Sequence, residues 1–292
     1  MQKGIMHYTT LQMEPVLPLT APVMIIGFRG WGNALEVASG MAAYLVDMRH
    51  GRAAGRLDPD LCYRYDENRP VVQIDSGRMI SINPPGGSFF AVETGAQEND
   101  LLVLVADEPS INWYRFSQEL VDLAVEVAAP AVISLGSMFD SVLHTDRIVS
   151  SLATGADFDG VFDRHGVIPI NYHGPSAIHT LILDACRKRG MTGASLWSHC
   201  PAYLQGITHH GMMLQLAGLL ADMAAFSLKT DALEARWEAL ELQIRQLITE
   251  SPKLEAVIEQ IRRKKREGAW QNLDKHGNEQ DNVIDLRDFI DP

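Results

Sequence analysis

Four short apolar runs, each tied to a helical stretch, constrain this chain more than any other feature of its sequence. Val23 to Phe28, Leu101 to Ala106, Ala131 to Leu135 and Gly193 to Trp197 are short for helices and lack polar alternation. Each reads as a strand covered on both faces. Helical periodicity accompanies them. Asn33 to Met48 has Asn33 as its N-cap and Leu35, Ala38, Ala42, Leu45 and Val46 inward; Trp113 to Val127 and Ser176 to Lys188 follow, the latter with Ser176 as N-cap. Strands alternating with helices predict an α/β fold, with a mostly parallel central sheet flanked by helices.

Other segments break the alternation. Val71 to Asp75 and Arg78 to Ile82 flank Ser76-Gly77, a turn of the hairpin kind, and Asn83-Pro84-Pro85-Gly86-Gly87 is a loop before strand-like Ser88 to Glu93. From Thr230 the pattern becomes purely helical. Asp231 and Glu234 make a start resembling a capping box, and Leu233, Trp237, Leu240, Ile244 and Leu247 form one apolar seam. Ser251 and Pro252 then open a second helix with Leu254, Val257, Ile258 and Ile261 inward. The division expected is an α/β core over 1–228, a C-terminal helical hairpin over 229–268 and a polar tail over 269–292.

Charge removes whole classes of partner. Aspartate plus glutamate outnumber lysine plus arginine 37 to 25, giving −12, and such a field repels polyanions, so nucleic acid is not expected. Cys62, Cys186 and Cys200 lack metal-site or disulfide-scaffold spacing and read as reduced core thiols of a cytoplasmic protein. The first residues show no signal-peptide pattern. Gly211 to Leu228 approaches spanning length, but Gln215 and Asp222 lie within it, so a buried or interface helix is expected rather than a membrane span.

Three places carry candidate chemistry. Gly27-Phe28-Arg29-Gly30-Trp31-Gly32-Asn33 occupies the strand-to-helix turn where open α/β sheets place anion sites, yet its spacing fits neither GxGxxG nor GxxxxGK[ST]. Arg29, Gly30, Trp31 and Asn33 are therefore ligand-binding candidates with no cofactor specified. Asp140 and His144, four residues apart beyond a strand end, are the candidate acid–base pair. His173 and Ser176 precede another helix and complete the candidate set. His199, His209 and His210 match no metal motif, so no metal is expected.

These residues also carry a resemblance. Gly27 to Asn33 resembles the F-x-GW-N signature of the proteasome assembly chaperone family, second type, including its bacterial branch of unknown function, some of it labelled as ATP-grasp-like. Asp58 to Pro70, Asp107-Glu108-Pro109 with Trp113 and Phe116, Ser134-Leu135-Gly136 with His144 to Arg147, His173 to Ser176, and Ser195-Leu196-Trp197 resemble further family segments in the same order. The resemblance implies an α/β sandwich similar to the nucleoside phosphorylase and hydrolase group. It also implies a homo-oligomer, with a trimer among the open stoichiometries, and relatedness to proteins that bind proteasome rings.

Two functions compete on this footing. One is a non-enzymatic, chaperone-like assembly protein acting on itself or another protein, because Gly211 to Leu228 and the helical hairpin are expected to offer more apolar face than one domain covers. The other is a small-molecule enzyme, similar to a ligase, phosphorylase or hydrolase, in a strand-end crevice. There Arg29 would meet an anion, Trp31 would stack, and Asp140 with His144 would move protons.

Overall fold

The apolar runs assemble into one nine-stranded sheet. The computed structural model describes residues 8–14 and 19–266. Its strands are β1 (Leu11–Met13), β2 (Val23–Arg29), β3 (Arg52–Leu57), β4 (Val71–Asp75), β5 (Arg78–Asn83), β6 (Gly87–Val92), β7 (Leu101–Asp107), β8 (Ala131–Asp140), β9 (Val149–Ala153), β10 (Ile168–Pro169) and β11 (Thr192–Pro201). The helices are α1 (Val37–Met48), α2 (Pro59–Cys62), α3 (Trp113–Glu126), α4 (Asp159–His165), α5 (Ile178–Arg189), α6 (His210–Ala224), α7 (Asp231–Glu250) and α8 (Pro252–Arg266). In the large sheet the order is β1-β3-β6-β7-β2-β8-β11-β9-β10. The four runs read from sequence are its parallel centre, β7-β2-β8-β11.

Burial on both faces explains why these strands are apolar throughout. On β2, Val23 and Ile25 join one core with Met41 and Leu45 of α1, while Met24, Ile26 and Phe28 join another with Phe116 and Leu120 of α3 and Ile178 and Ile182 of α5. β8 and β11 extend five and four residues past the ends expected from sequence, pairing in parallel register from Ala131–Thr192 to Asp140–Pro201. Their distal halves carry Gly136, Ser137, Ser198 and His199, whose polarity conceals a buried strand.

Some helix starts differ from expectation. α1 begins at Val37 after a short 3-10 turn, Ala34–Glu36. Asn33 Oδ1 nonetheless accepts the Ser39 amide at 3.0 Å, satisfying a donor of the first α1 turn from outside the helix. Ser176 does not cap α5: its hydroxyl donates to the Ala177 carbonyl at 2.8 Å, and Ala177 holds the N-cap position. Thr230, not Asp231, holds the N-cap position of α7, and its hydroxyl donates to the Glu234 carboxylate at 2.7 Å instead of accepting a backbone amide. Ser251 and Pro252 start α8 as expected, with Ser251 Oγ accepting the Leu254 amide.

The apolar surface expected on α6 and the C-terminal hairpin is covered within the molecule. Met212, Leu216 and Leu220 of α6, Leu233, Trp237, Leu240 and Ile244 of α7, and Leu254, Ile258 and Ile261 of α8 share the core that includes α1. Among the described residues no helix is long and apolar enough to cross a membrane. The three cysteines are buried and unbridged.

Exposed apolar surface lies instead on β4 and β5, a separate two-stranded antiparallel hairpin. Ser76 and Gly77 both have positive φ, 48° and 76°, as a type I′ turn requires. Val71, Val72, Ile74, Met79, Ile80 and Ile82 are each between 47% and 70% exposed. Pro70, Pro84 and Pro85 stand at the roots of this arm and stiffen its attachment. The tail expected over 269–292 lies outside the described residues.

Candidate functional site

The turn after β2 is built by close packing. Trp197 of β11 and His179 of α5 lie directly beneath Gly32, where a Cβ would come within 3.2 Å of both rings. Trp31 stands above them, 73% exposed, with its ring edge-on to Trp197 at a centroid distance of 6.3 Å. His179 is buried and donates from Nε2 to the Leu135 carbonyl at 2.9 Å; burial lowers its pKa to about 4, so the ring is neutral at pH 7. The turn is therefore a rigid rim carrying one solvent-facing indole.

A cleft of about 390 Å³ opens beside this rim, lined by Arg29, Gly30, Trp31, Glu67, Asn68, Asp107, Glu108, Pro109, Ser110 and Trp113. It sits at the carboxyl ends of β2 and β7, where open sheets place ligand sites. Its charge differs from the expected anion site. Arg29 Nε donates to Asp107 Oδ1 at 2.7 Å, and Asp107 Oδ2 accepts the Gly86 amide at 2.9 Å, so the guanidinium is already paired. Glu108 occupies the start of α5, accepting the Ile178 amide at 3.3 Å. Burial pushes its carboxyl up, against the pull of the Ile178 and Trp31 amides. Asn33 is equally committed, since Nδ2 donates to Ser39 Oγ at 2.9 Å. Helix-start amides offered to an anion by the sequence reading are thus taken by Asn33 and Glu108.

His144 belongs to a different cleft. This second space, about 410 Å³, lies between the loop after β8 and the C-terminal helices, lined by Leu143, His144, Thr145, Glu241, Arg245, Ile248, Thr249 and Arg262. Tyr203 Oη accepts the His144 amide and lies 2.7 Å from Nδ1, consistent with the hydroxyl donating to the ring. Burial lowers His144 to about 4. Beneath it, Arg147 stacks over Trp237 at 4.4 Å, and His209, lowered to about 3 by burial, stacks on the same indole at 5.1 Å.

Asp140 and His144 are therefore not a pair. Asp140 Oδ2 lies 2.7 Å from His199 Nδ1, and His199 Nε2 lies 2.8 Å from Ser150 Oγ. His173 and Ser176 line neither cleft. Sequence reasoning missed Glu108 as a helix-start acceptor and Ser150 altogether. The Glu-Pro step before Trp113 signalled the first, whereas Val149–Ala153 carries no motif around its serines. Among the described residues no three His, Cys, Asp or Glu side chains gather to hold a metal.

Relatives share this architecture. The PAC2 family model matches residues 24–248, which cover the sheet apart from β1 and the first residue of β2, the Trp31 cleft, most of the lining of the His144 cleft and most of α7. This chain belongs to the PAC2 family. A PAC2 family protein from Streptomyces avermitilis is 27% identical, with a TM-score of 0.72 over 81% of this chain and 99% of that one. A proteasome-assembly chaperone homologue from Mycobacterium tuberculosis is 23% identical, also with a TM-score of 0.72 over 81% and 99% of the two chains. PbaB of Pyrococcus furiosus, an archaeal proteasome activator, is 16% identical, with a TM-score of 0.63 over 83% and 99%. The latter two share the PAC2 fold. No curated protein matches the chain significantly.

Proposed function

We propose that this PAC2 chain is a chaperone-like assembly protein that associates with copies of itself through the β4–β5 arm, an association that itself needs no catalytic chemistry. The observation carrying the reading is that arm's exposure. Paired residues share a face, so Val72 with Ile82 and Ile74 with Met79 form a four-residue apolar patch held away from the core. Two-stranded hairpins alone are at best marginally stable in water, and exposed apolar patches mark interaction surfaces. Similarity to proteins named for proteasome assembly and activation supports the assembly role. In the same reading the protein is cytoplasmic, where unbridged thiols persist, and the α7–α8 hairpin is an addition to a core ending near residue 228.

Size-exclusion chromatography with light scattering tests the reading. Wild-type protein at micromolar concentration runs as an oligomer, and the double variant Ile74→Ser/Met79→Ser runs as a monomer with an unchanged circular dichroism spectrum. A wild-type monomer at that concentration overturns it.

A further inference from the structure

Three neighbouring strands bring three complementary side chains to one face of the sheet. β11 lies between β8 and β9, and His199 near its end is flanked by Asp140 at the end of β8 and Ser150 on β9. Ile133, Leu135 and Val149 fill the core on the α1 side. Strand alternation therefore puts Asp140 and Ser150 on the opposite face, with His199 hydrogen-bonded to both.

Hydrogen bonding sets the direction of this chain of groups. Asp140 Oδ1 accepts the Ser141 amide at 2.6 Å and Oδ2 faces His199. Burial alone would raise the Asp140 carboxyl, but these bonds outweigh it and hold it below the usual range. An ionised carboxylate only accepts, so Nδ1 of His199 carries the proton. In the neutral ring, the Nε2 lone pair then faces the Ser150 hydroxyl at 2.8 Å. A hydroxyl on a base that is oriented by a carboxylate is the arrangement that activates serine nucleophiles.

We propose that Ser150 is an acylatable nucleophile for compact esters or thioesters with an apolar acyl group. His199 is its general base, and Asp140 is a positioning residue. The acyl preference follows from the surroundings: Trp197 is the β11 partner of Ser150, and Leu152, two residues further along β9, is partly exposed. Ser150 and His199 are 1% and 2% exposed. Neither lines the two clefts described above, so the proposal requires β9 to open locally from β11, at a sheet margin where only the two-residue β10 lies beyond β9.

In the step, Ser150 Oγ bonds to the carbonyl carbon and its proton passes to His199 Nε2. The bond from that carbon to the leaving oxygen or sulfur breaks, and the leaving group takes the proton from Nε2. Water then attacks the acyl-serine, gives one proton to Nε2, and releases the carboxylic acid as Ser150 Oγ recovers that proton. No electrons are exchanged with an outside reagent.

The test is to incubate the full chain with diisopropyl fluorophosphate, which phosphorylates activated serines with loss of fluoride, and to map the modified peptide by mass spectrometry. One diisopropylphosphoryl group on Ser150 is expected, falling to background in Ser150→Ala. Asp140→Asn, which retains a hydrogen bond but favours the wrong tautomer, should label at least about a hundredfold more slowly. The wild-type map needs no variant to fold, and circular dichroism reports whether the variants do. An unmodified wild-type chain, an adduct at another serine, or equal labelling of Asp140→Asn overturns the proposal and leaves the three groups as a pin between strands.

Discussion

Two hairpins with apolar residues leave this molecule in opposite conditions. The helical pair α7–α8 lays its seam against the core that contains α6, burying Leu233, Ile244, Leu254 and Ile258 almost completely. The strand pair β4–β5 keeps its apolar face in water. Both patterns are plain in the sequence, yet a pattern says only that a face seeks cover. What lies at each root decides where cover is found. α7 follows α6 after a connection of six residues, 225–230, and folds back onto it, whereas prolines hold the strand pair off the sheet.

The strongest way to break this contrast is to empty the covered side. Trp237→Ala removes the indole that lies under Arg147 and against His209, and should destabilise the protein by about 3–5 kcal/mol in urea unfolding. A loss under 1 kcal/mol would show that the helical pair is held only loosely.

Acid should act on the same side, and on His179 beneath the Trp31 rim as well. His144 and His209 titrate near 4 and 3 when folded, below the 6.5 of an unperturbed histidine. Between pH 6.5 and about 4 the unfolded chain therefore takes up protons that the folded chain refuses, and stability falls as pH falls. For His144 alone the full effect is roughly 3 kcal/mol. Urea midpoints should decline steadily from pH 7 to 4.5, and His144→Gln should flatten that decline.

Changes in the strand pair should be local. Gly77→Ala places a methyl group at φ 76° and should cost about 1–2 kcal/mol in the hairpin alone. Amide exchange in β4 and β5 should then quicken roughly 5–30-fold, with the global melting temperature unmoved. Smallest of all, Ile74→Ser should shift monomer stability by no more than about 0.5 kcal/mol, because Ile74 is 63% exposed. A larger shift in dilute protein would mean that the hairpin is docked.

Legibility in the sequence followed the same logic. The parallel centre was visible because strands buried on both faces need apolar runs, and the hairpin turn because Ser76-Gly77 separates two strand-like runs and glycine adopts positive φ freely. β3 was missed because Arg52 and Arg56 bracket two alanines and a glycine, leaving no apolar stripe. β9 was missed because Ser150 and Ser151 occupy buried positions. The candidate site was half legible: Arg29, Gly30 and Trp31 do share a cleft, but the partner of Asp140 lies 59 residues away on another strand. Proximity in sequence favoured His144, and only sheet register could reveal His199.

Strands of five and six residues reach roughly 17–20 Å at about 3.3 Å per residue. Over that reach the Val72–Ile82 pair stands near the root and the Ile74–Met79 pair near the turn, so a second copy that covers both lies along the arm, whose root is separated only by Arg69 and Pro70 from Asn68 in the wall of the mouth beside Trp31.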